Sequence, residues 1–350
     1  MALTGLQIRN LRCLCEVDWS PGAGVNVVFG ANGAGKTTLL EAVLLAARGK
    51  SWRPGGVRAA IRNGAESVAV RAAFGEGLEA GWLAYERSAR ERRWVQNGEP
   101  VRSPLSAYQA LPVLILSPES HYETLQDPQV RRTAMQWAMF HVEPLFLETW
   151  RRYQRVLRQR NSALRNGDRH YRMFDPGLAQ AGEALAGFWE GLGREVEPLL
   201  QDGVTRLHLG RTVGAAVRRG WTGESLLAAL AATQEADERL GYTQAGPHRA
   251  DVQFTMEGRP LAQIASHGQQ KIVASAWRLA LAARVHAAGA EPLLLIDDLG
   301  AELDGERRQA FYETLGSARL QAVVTAIESD PSMPTGFSMF HVEHGGLSAP

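Results

Sequence analysis

The chain contains 350 residues, of which 45% are hydrophobic and 21% are charged. A chain of this length and composition is long enough for roughly two ordinary globular domains, which argues against a disordered or fibrous protein. The formal net charge is only +1, so the charge of the whole molecule does not indicate a nucleic-acid partner, and any basic surface must be local.

The first third of the chain has the patterns of strands. Alternation near the start and the apolar, β-branched run at residues 25–29 predict strands, and a glycine-rich loop follows. Apolar residues at helical spacing predict a helix over residues 37–47. Short alternating runs broken by glycines predict a meander of antiparallel strands over residues 67–101, and residues 111–116 form a further candidate strand.

Beyond Ser117 the periodicity becomes mainly helical, up to about residue 234. Residues 134–163 and 178–199 each carry apolar side chains at spacings of three and four, and turn signals separate the two segments. The sequence therefore predicts an α-helical hairpin that projects from the strand-rich part of the chain.

The last part of the chain returns to mixed patterns. We predict a strand at residues 251–254, a helix at 269–287, a buried strand at 292–298, a helix from Gly305 and a strand at 321–326. Strands and helices that alternate in this way indicate an α/β fold with a mixed sheet.

The glycine-rich loop satisfies the P-loop pattern and lies between a predicted strand and a predicted helix, as that motif requires. Its glycines let backbone N–H groups converge on phosphate oxygens, the lysine reaches the terminal phosphates, and a threonine hydroxyl can ligate Mg²⁺. The residues predicted to bind the nucleotide here are Gly30, Ala31, Asn32, Gly33, Ala34, Gly35, Lys36, Thr37 and Thr38.

The buried strand of the C-terminal part ends in two carboxylates, Asp297 and Asp298. An acidic turn after a strand is common by itself, but here it accompanies a P-loop. We expect this strand to run beside the P-loop strand, so that Asp297 meets the Mg²⁺ and Asp298 polarises the attacking water. The long separation from Lys36 requires a large insertion, which the helical hairpin supplies.

A third candidate element, Ser266-His267-Gly268-Gln269, opens the predicted helix before the acidic pair. A hydroxyl, a glycine and a helix N-terminus together offer an anion site, although a serine there by itself more often only caps the helix. With the other two motifs in order, the sequence resembles an ABC-type ATPase. That resemblance implies that Ser266, Gly268 and Gln269 contact the γ-phosphate held by a second subunit and that Asp304 lies at the same dimer interface.

Several further strings resemble one family of such ATPases, the bacterial RecF proteins. They occur in fixed order along nearly the whole chain and are Ile8-Arg9-Asn10, Gly49-Lys50-Ser51-Trp52-Arg53, Ser117-Pro118-Glu119, Asp127-Pro128, Arg131-Arg132, Gln159-Arg160-Asn161 and Gly246-Pro247-His248-Arg249-Ala250-Asp251. The resemblance implies an ABC-type head, with lobes at residues 1–118 and 239–350, and a short inserted helical arm at 119–238.

The same resemblance implies a function. RecF-like proteins bind ATP with Mg²⁺, form a homodimer on ATP, bind duplex DNA and the junctions of single-strand gaps, and hydrolyse ATP slowly. They act with RecO and RecR to load RecA, in replication and in the SOS response.

The sequence departs from the RecF pattern or from the wider ABC-type pattern at three places. His267 stands where the family usually has arginine or lysine. A metal-binding glutamine is not evident after the strand that precedes the insertion, and either Glu119 or Gln109 is a candidate for its place. Thr325 stands after the last strand, where many ABC ATPases carry a histidine and RecF-like sequences do not.

Candidate DNA contacts come from local basic segments. Residues 151–172 contain eight arginines and one acidic residue, which suits neutralisation of phosphates along one face of the arm but also fits a solvated helix. The candidates for DNA contact are Lys50, Arg53, Arg151, Arg152, Arg155 and Arg158.

Three other functions fit the sequence less well. A P-loop kinase needs neither the long insertion nor the signature helix, and a nucleotide-binding subunit of a transporter has no evident use for an arginine-rich arm. A purely structural SMC-like clamp needs a longer arm and a hinge domain.

Cys13 and Cys15 suit neither a zinc site nor an unstrained disulfide. With no apolar signal region and no run of about 18 apolar residues, we expect a cytoplasmic protein.

Overall fold

The structure is a computed structural model that describes residues 2–53, 55–77, 80–298, 305–328, 333–343 and 345–348. The chain divides into two compact units. The first comprises Met1–His121, Arg206–His208 and Val285–Pro350, and the second comprises Tyr122–Thr205 and Leu209–Arg284.

The strands in chain order are β1 (Leu3–Leu11), β2 (Leu14–Trp19), β3 (Val25–Phe29), β4 (Ser67–Phe74), β5 (Gly81–Ser88), β6 (Arg92–Gln96), β7 (Glu99–Pro100), β8 (Val113–Leu116), β9 (Val213–Arg218), β10 (Asp251–Met256), β11 (Arg259–Pro260), β12 (Leu293–Ile296), β13 (Ala322–Ala326), β14 (Ser338–Glu343) and β15 (Gly346–Ser348).

The α-helices are α1 (Lys36–Arg48), α2 (Gly56–Ala59), α3 (Pro104–Ala110), α4 (Pro118–Gln126), α5 (Pro128–Val142), α6 (Phe146–Arg165), α7 (Asp175–Arg206), α8 (Leu226–Ala232), α9 (Gln234–Leu240), α10 (Leu261–Ile264), α11 (His267–Ala287) and α12 (Gly305–Ser317). Short 3₁₀ helices occur at Arg169–Phe174 and Pro247–Arg249. None of these helices is long and apolar enough to cross a membrane.

The first unit contains an antiparallel sheet in the order β2-β1-β4-β5-β6-β7. Side chains alternate between its faces: Leu6 and Ile8 of β1 are buried, whereas Gln7 and Arg9 point to the other face. The apolar face belongs to the same hydrophobic core as α1, a helix with ten buried residues. The predicted meander is confirmed, and it places the P-loop helix against a rigid sheet.

A second, mixed sheet in the first unit has the order β15-β14-β3-β13-β12-β8. The strands from β14 to β8 are parallel, and only β15 runs antiparallel to its neighbour. All residues of β12 and β13 are buried, as expected of parallel strands covered on both faces. Parallel strands end at the same edge, which brings the residues after β3 and β12 to one place.

The neighbour predicted for the P-loop strand was wrong. β13 lies between β3 and β12 and pairs with both of them, so the acidic strand is one strand removed from the P-loop strand. Strand order depends on long-range pairing, and a local apolar pattern does not carry that information.

In the second unit, α6 and α7 form the predicted hairpin, although the first predicted segment, residues 134–163, is divided between α5 and α6. Arg152 bonds Gln180 at 2.6 Å and Arg160 bonds Asp175 at 2.7 Å, so the two helices run antiparallel. Close to the connection, the guanidinium of Arg160 is fully buried and also bonds Asp237 at 2.7 Å. A buried ion-pair network therefore links α6 to α7 and to Asp237 near the connection.

The second unit differs from the predicted arm in two ways. Strand β9 lies within the stretch predicted to be helical and pairs antiparallel with β10 along six residues. Because this pairing joins residues on both sides of position 238, residues 239–284 cluster with the helices of this unit and not with the C-terminal part of the first unit. Strands β14 and β15 were also not predicted.

Candidate nucleotide site

The loop between β3 and α1 has a backbone that only glycine allows at two positions. Gly30 has φ +154°, and a Cβ there would lie 2.3 Å from the carbonyl oxygen of Val342. Gly35 has φ +122°, and its Cβ would lie 2.6 Å from a methyl carbon of Leu14. Side chains at these two positions would collide with β14 and with the start of β2, so the loop needs glycine there.

Lys36 closes this loop on itself. Its ammonium donates to the carbonyl oxygens of Gly30 at 2.7 Å and Ala31 at 3.0 Å. Burial lowers the pKa of Lys36, while the negative charges of Asp298 and Asp297 act in the opposite direction. The ammonium thus lies against the P-loop, within reach of the charges of the acidic pair, and its contact with terminal phosphates stays a prediction.

The acidic pair meets the P-loop helix through hydroxyl groups. Thr37 donates from Oγ1 to Oδ1 of Asp297 at 2.9 Å, and Thr325 of β13 donates to the same oxygen at 2.7 Å. The hydroxyl of Thr325 also accepts a hydrogen bond from the backbone N–H of Asp298 at 2.9 Å. The predicted neighbourhood of Thr37 and Asp297 is confirmed, although β13 separates their strands.

The negative charges near the end of β12 favour the binding of a cation. Burial raises the pKa of Asp297, and the nearby carboxylates of Asp298 and Glu119 raise it further, against the hydrogen bonds from Thr325 and Thr37. Asp298 has φ +52°, an uncommon conformation for a residue other than glycine. A half-buried carboxylate beside a threonine hydroxyl offers the hard oxygen ligands that Mg²⁺ takes in nucleotide sites, usually few in number. The residues present therefore fit Mg²⁺, with Thr37 and Asp297 as its predicted ligands.

A cavity of about 320 Å³ lies over the P-loop and the acidic pair. Its lining also includes Arg12, Cys13 and Arg53, and both cysteines of the chain are exposed thiols. Arg53 was predicted to contact DNA, and the structure places it beside the phosphate-binding loop. Its role in DNA binding stays a prediction.

Arg12 is a site residue that the sequence reasoning missed. Its guanidinium makes two hydrogen bonds, of 2.6 and 2.9 Å, to the carboxylate of Glu41, and Ser51 donates to the same carboxylate at 2.5 Å. The bond to Glu41 raises the pKa of Arg12. Glu41 is fully buried in α1, and a buried acidic residue in an apolar helix requires a cation. Glu41, an acidic residue in an apolar helix, was therefore the feature of the sequence that indicated a cationic partner.

Glu119 is better placed than Gln109 to stand in for the metal-binding glutamine of other ABC ATPases. Leu116 of β8 lies opposite Ile296 of β12, so the two strands end side by side. Glu119 begins the helix that follows β8, and its charge reaches Asp297. Gln109 is an exposed residue of α3, before the strand. The assignment of Glu119 to this position stays a prediction.

The signature segment lies in the second unit, at the start of α11. The hydroxyl oxygen of Ser266 accepts from the N–H of Gln269 at 3.3 Å, while the side chain of Gln269 accepts from the N–H of Ser266 at 2.9 Å. This is a capping box. It uses the Ser266 oxygen as an acceptor and leaves its hydrogen able to donate to a phosphate. A Cβ at Gly268 would meet no atom within 4 Å, and Asp304 lies outside the described residues.

The arginines predicted to contact DNA from the arm lie on α6. Arg151, Arg152, Arg155 and Arg158 are all exposed, and Arg152 bonds Gln180. Arg160, in the same arginine-rich run, is instead buried in ion pairs. Some side chains of this arginine-rich run are thus exposed, whereas Arg160 is buried. Contact between the run and DNA stays a prediction. Lys50, after the end of α1, is exposed as well.

Comparisons with known proteins agree with this geometry. A family model described as the RecF/RecN/SMC N terminal domain matches residues 2–344. The DNA replication and repair protein RecF of Thioalkalivibrio sulfidiphilus is 38% identical over 362 residues, which cover 99% of each chain. RecF of Coxiella burnetii strain CbuG_Q212 is 34% identical over 98% of each chain, and RecF of Pseudomonas aeruginosa strain LESB58 is 32% identical over 99% of this chain and 98% of its own.

Solved structures show the same fold. The recombination mediator protein RecF-ATP of the RecFOR pathway superposes with a TM-score of 0.84 at 21% identity, covering 100% of this chain and 97% of that chain. An SMC head bound to the C-winged helix domain of ScpA has a TM-score of 0.63 at 13% identity, with 100% and 98% of the two chains covered.

Proposed function

This chain belongs to the RecF family of DNA replication and repair proteins, and we propose that it is an ATP-gated DNA-binding ATPase. Its ATP sites would be completed in a head-to-tail homodimer that assembles on DNA at single-strand gaps. We further propose that it works in the cytoplasm with RecO and RecR to promote the loading of RecA, in replication and in the SOS response.

One observation carries the nucleotide part of the proposal. Lys36, Thr37 and Asp297 meet at one cavity, although Asp297 is far from the other two in the sequence, and Thr37 bonds Asp297 at 2.9 Å. A phosphate cradle, a cation and a hydroxyl–carboxylate pair are the parts that P-loop enzymes use to bind a nucleotide with Mg²⁺.

Each residue of the site has a separate task in this proposal. Lys36 binds the terminal phosphates, and Asp298 accepts the proton of the attacking water. Thr37 and Asp297 hold the metal ion, which would neutralise phosphate charge when bound. Thr325 orients both aspartates. Hydrolysis is proposed to be slow and stimulated by DNA, so that it acts as a switch between dimer and monomer.

The second half of each site is proposed to come from the partner subunit. Ser266, Gly268 and Gln269 lie at the N-terminus of a helix of 21 residues, where the helix dipole and a hydroxyl favour an anion. Asp304 is proposed to lie at the same interface. The support for head-to-tail pairing is that an exposed anion site and a phosphate cradle occur as separate motifs in one chain.

Mixing two inactive variants tests the composite site. Lys36→Ala removes the cradle, and Ser266→Arg blocks the signature with a bulky cation, so each variant alone is expected to lose ATP hydrolysis and ATP-dependent dimerisation. In a mixed dimer, the intact cradle of one chain meets the intact signature of the other. Because neither variant dimerises alone, every dimer in the mixture is mixed and carries one intact site of two, so an equal mixture should regain up to about half of the wild-type hydrolysis rate.

The control for this mixture is Ser317→Arg, at an exposed serine near the end of α12. It should hydrolyse ATP as the wild type does. A mixture of the two inactive variants that stays inactive, while each still binds ATP or folds normally, would reject the composite site.

Binding to DNA is tested on a labelled gapped duplex over a salt series, with and without ATP. Wild-type binding should require ATP and fall steeply with salt, because neutralised phosphates release counterions. Binding that is indifferent to ATP and to Lys36→Ala would contradict ATP-gated DNA binding.

A further inference from the structure

The antiparallel sheet of the first unit carries a basic hairpin tip outside the nucleotide site. The tip, residues 87–93, comprises the end of β5, the turn and the start of β6, and it contains four arginines and one glutamate. Arg90, Arg92 and Arg93 are exposed, and Arg87 is partly exposed. The whole chain has a net charge of only +1, so this concentration of positive charge is a local feature.

Two of these arginines form an unfavourable pair. Arg87 of β5 lies directly opposite Arg92 of β6 in the strand register. Like charges directly opposite each other in a cross-strand pair destabilise a hairpin. Within the residues that the structure describes, neither guanidinium group has an ion-pair or hydrogen-bond partner. The two guanidinium groups therefore repel each other in the folded chain, and no ion pair with a described acidic residue offsets the repulsion.

The pair lies on the face of the sheet that carries α1. Side chains alternate along a strand, so Arg87 follows buried Tyr85 on one face, and Arg92 precedes buried Trp94 on the same face. Burial raises the pKa of Tyr85, and the charges of Arg92 and Arg87 act against that shift, as expected of cations close to its hydroxyl.

The end of α1 brings a further cation to this face. Trp94 donates from its indole nitrogen to the carbonyl of Ala46 at 2.9 Å. A Cβ at Gly49, the residue after α1, would lie only 3.1 Å from the Trp94 ring. Lys50 comes next and is exposed. The hairpin and the end of the P-loop helix are thus anchored to each other through Trp94, with cations on both.

The tip itself is held in one shape. The hydroxyl of Ser88 accepts from the N–H groups of Arg90 at 3.3 Å and Glu91 at 3.0 Å. The N–H of Ser88 donates to the carbonyl of Glu91 at 2.9 Å. A turn with these bonds loses little backbone freedom when a ligand binds.

We propose that Arg87, Arg90 and Arg92, together with Lys50, form a binding surface for the phosphate backbone of duplex DNA. This proposal rests on the proposed DNA-binding function and deepens it, since it names a surface on the ATPase sheet in addition to the arm. Unpaired guanidinium groups on a fixed turn suit phosphate oxygens, which they can engage with two hydrogen bonds each. Phosphates would also remove the repulsion between Arg87 and Arg92.

The opposite face of the same sheet supplies the control, because two of its arginines have partners. There, Arg9 pairs with Glu16 at 3.3 Å, and Arg71 stacks on the ring of Trp82 at 4.4 Å. The double variants Arg87→Gln/Arg92→Gln and Arg9→Gln/Arg71→Gln remove the same charge from opposite faces of one sheet. Comparing them separates a local contact from a change in net charge.

The test is binding to a labelled duplex in ATP over a salt series, with thermal unfolding measured in parallel. The variant Arg87→Gln/Arg92→Gln should bind about three- to tenfold more weakly, and the slope of log K against log salt should be smaller by about 1.8. Its thermal stability should equal or exceed that of the wild type, because repulsion is removed. The variant Arg9→Gln/Arg71→Gln should keep the wild-type slope.

The outcomes separate this proposal from the proposed function. Wild-type protein that does not bind DNA overturns both. Wild-type binding with an unchanged slope in Arg87→Gln/Arg92→Gln overturns the hairpin surface alone, and retained DNA binding with loss of an acidic protein partner would reassign the surface to that partner. Equal losses in the two double variants would show that net charge decides, which also rejects the surface.

Discussion

Thr325 holds Asp297 and Asp298 with a single hydroxyl group. It donates to Oδ1 of Asp297 at 2.7 Å and accepts from the backbone N–H of Asp298 at 2.9 Å. Asp298 has a left-handed backbone, which needs support from its surroundings. One side chain on β13 therefore sets the position of the predicted metal ligand and of the predicted base.

Replacing Thr325 by valine keeps its shape and removes both hydrogen bonds. Each bond contributes about 1 kcal/mol, so Thr325→Val should lower ATP hydrolysis by at least about tenfold and raise the Mg²⁺ concentration needed for half-maximal activity. Thr325→Ser keeps the hydroxyl and should restore most of the rate. A steady-state ATPase assay over a Mg²⁺ series measures both quantities. Equal activity of the valine and serine variants would contradict the positioning role.

The pair Arg12–Glu41 should be structural as well as part of the cavity. Removing the guanidinium by Arg12→Ala leaves the fully buried carboxylate of Glu41 without its main partner, which should lower the free energy of unfolding by about 3 kcal/mol. Arg9→Ala is the matched control, because Arg9 and Glu16 are 73% and 71% exposed and such pairs contribute about 0.5 kcal/mol. Urea unfolding compares the two variants, and similar losses would show that Glu41 does not depend on Arg12, since Arg53 also lies 3.8 Å from its carboxylate.

Gly268 allows a test of the signature that does not disturb the monomer. It lies in a helix, and a Cβ there meets no atom within 4 Å, so Gly268→Ala should leave the fold as stable as before or slightly more stable. If this glycine lets a partner's phosphate approach closely, the variant should bind ATP normally and lose ATP-dependent dimerisation. Light scattering with and without ATP·Mg²⁺ measures the mass. An unchanged dimer would remove Gly268 from the interface.

His248 should make the second unit sensitive to acid. Its Nε2 lies 3.0 Å from the carbonyl of Thr243 and must donate, so Nδ1 accepts from the hydroxyl of Tyr153 at 2.6 Å. Burial is the main cause that lowers the pKa of His248 to about 4 from its usual 6.5. As the pH falls from 6.5 to 4, the unfolded chain takes up a proton that the folded chain resists. Stability is therefore lost across this window, by up to about 3 kcal/mol.

The variant His248→Gln isolates this contribution. It should be less stable than the wild type at pH 8, because the bonds to Tyr153 and Thr243 are weakened, but its stability should fall less between pH 6.5 and pH 4. Chemical unfolding at several pH values gives the difference between the two proteins. Parallel pH profiles would show that His248 does not titrate in this window.

Much of the fold and of the nucleotide site was predictable because short-range patterns encode it. The P-loop from Gly30 to Thr37 needs its glycines for local backbone reasons, and the runs before Gly30 and Asp297 are apolar because parallel strands are buried on both faces. The helical hairpin followed from periodicity alone. Ser266 and Gln269 form the capping box that residues three apart at a helix start can make.

Other features depended on contacts that no local pattern carries. β13 lies between the P-loop strand and the acidic strand, and only there can Thr325 reach Asp297. Arg160 is buried because it pairs with Asp237, whereas Arg155 and Arg158 on the same helix are exposed. Arg87 meets Arg92 only because of the hairpin register. Sequence alone determined which local elements form and which chemistry they carry, since these depend on neighbouring residues. Tertiary structure decided which charges are paired, buried or left facing solvent, since those depend on residues that are distant in the chain.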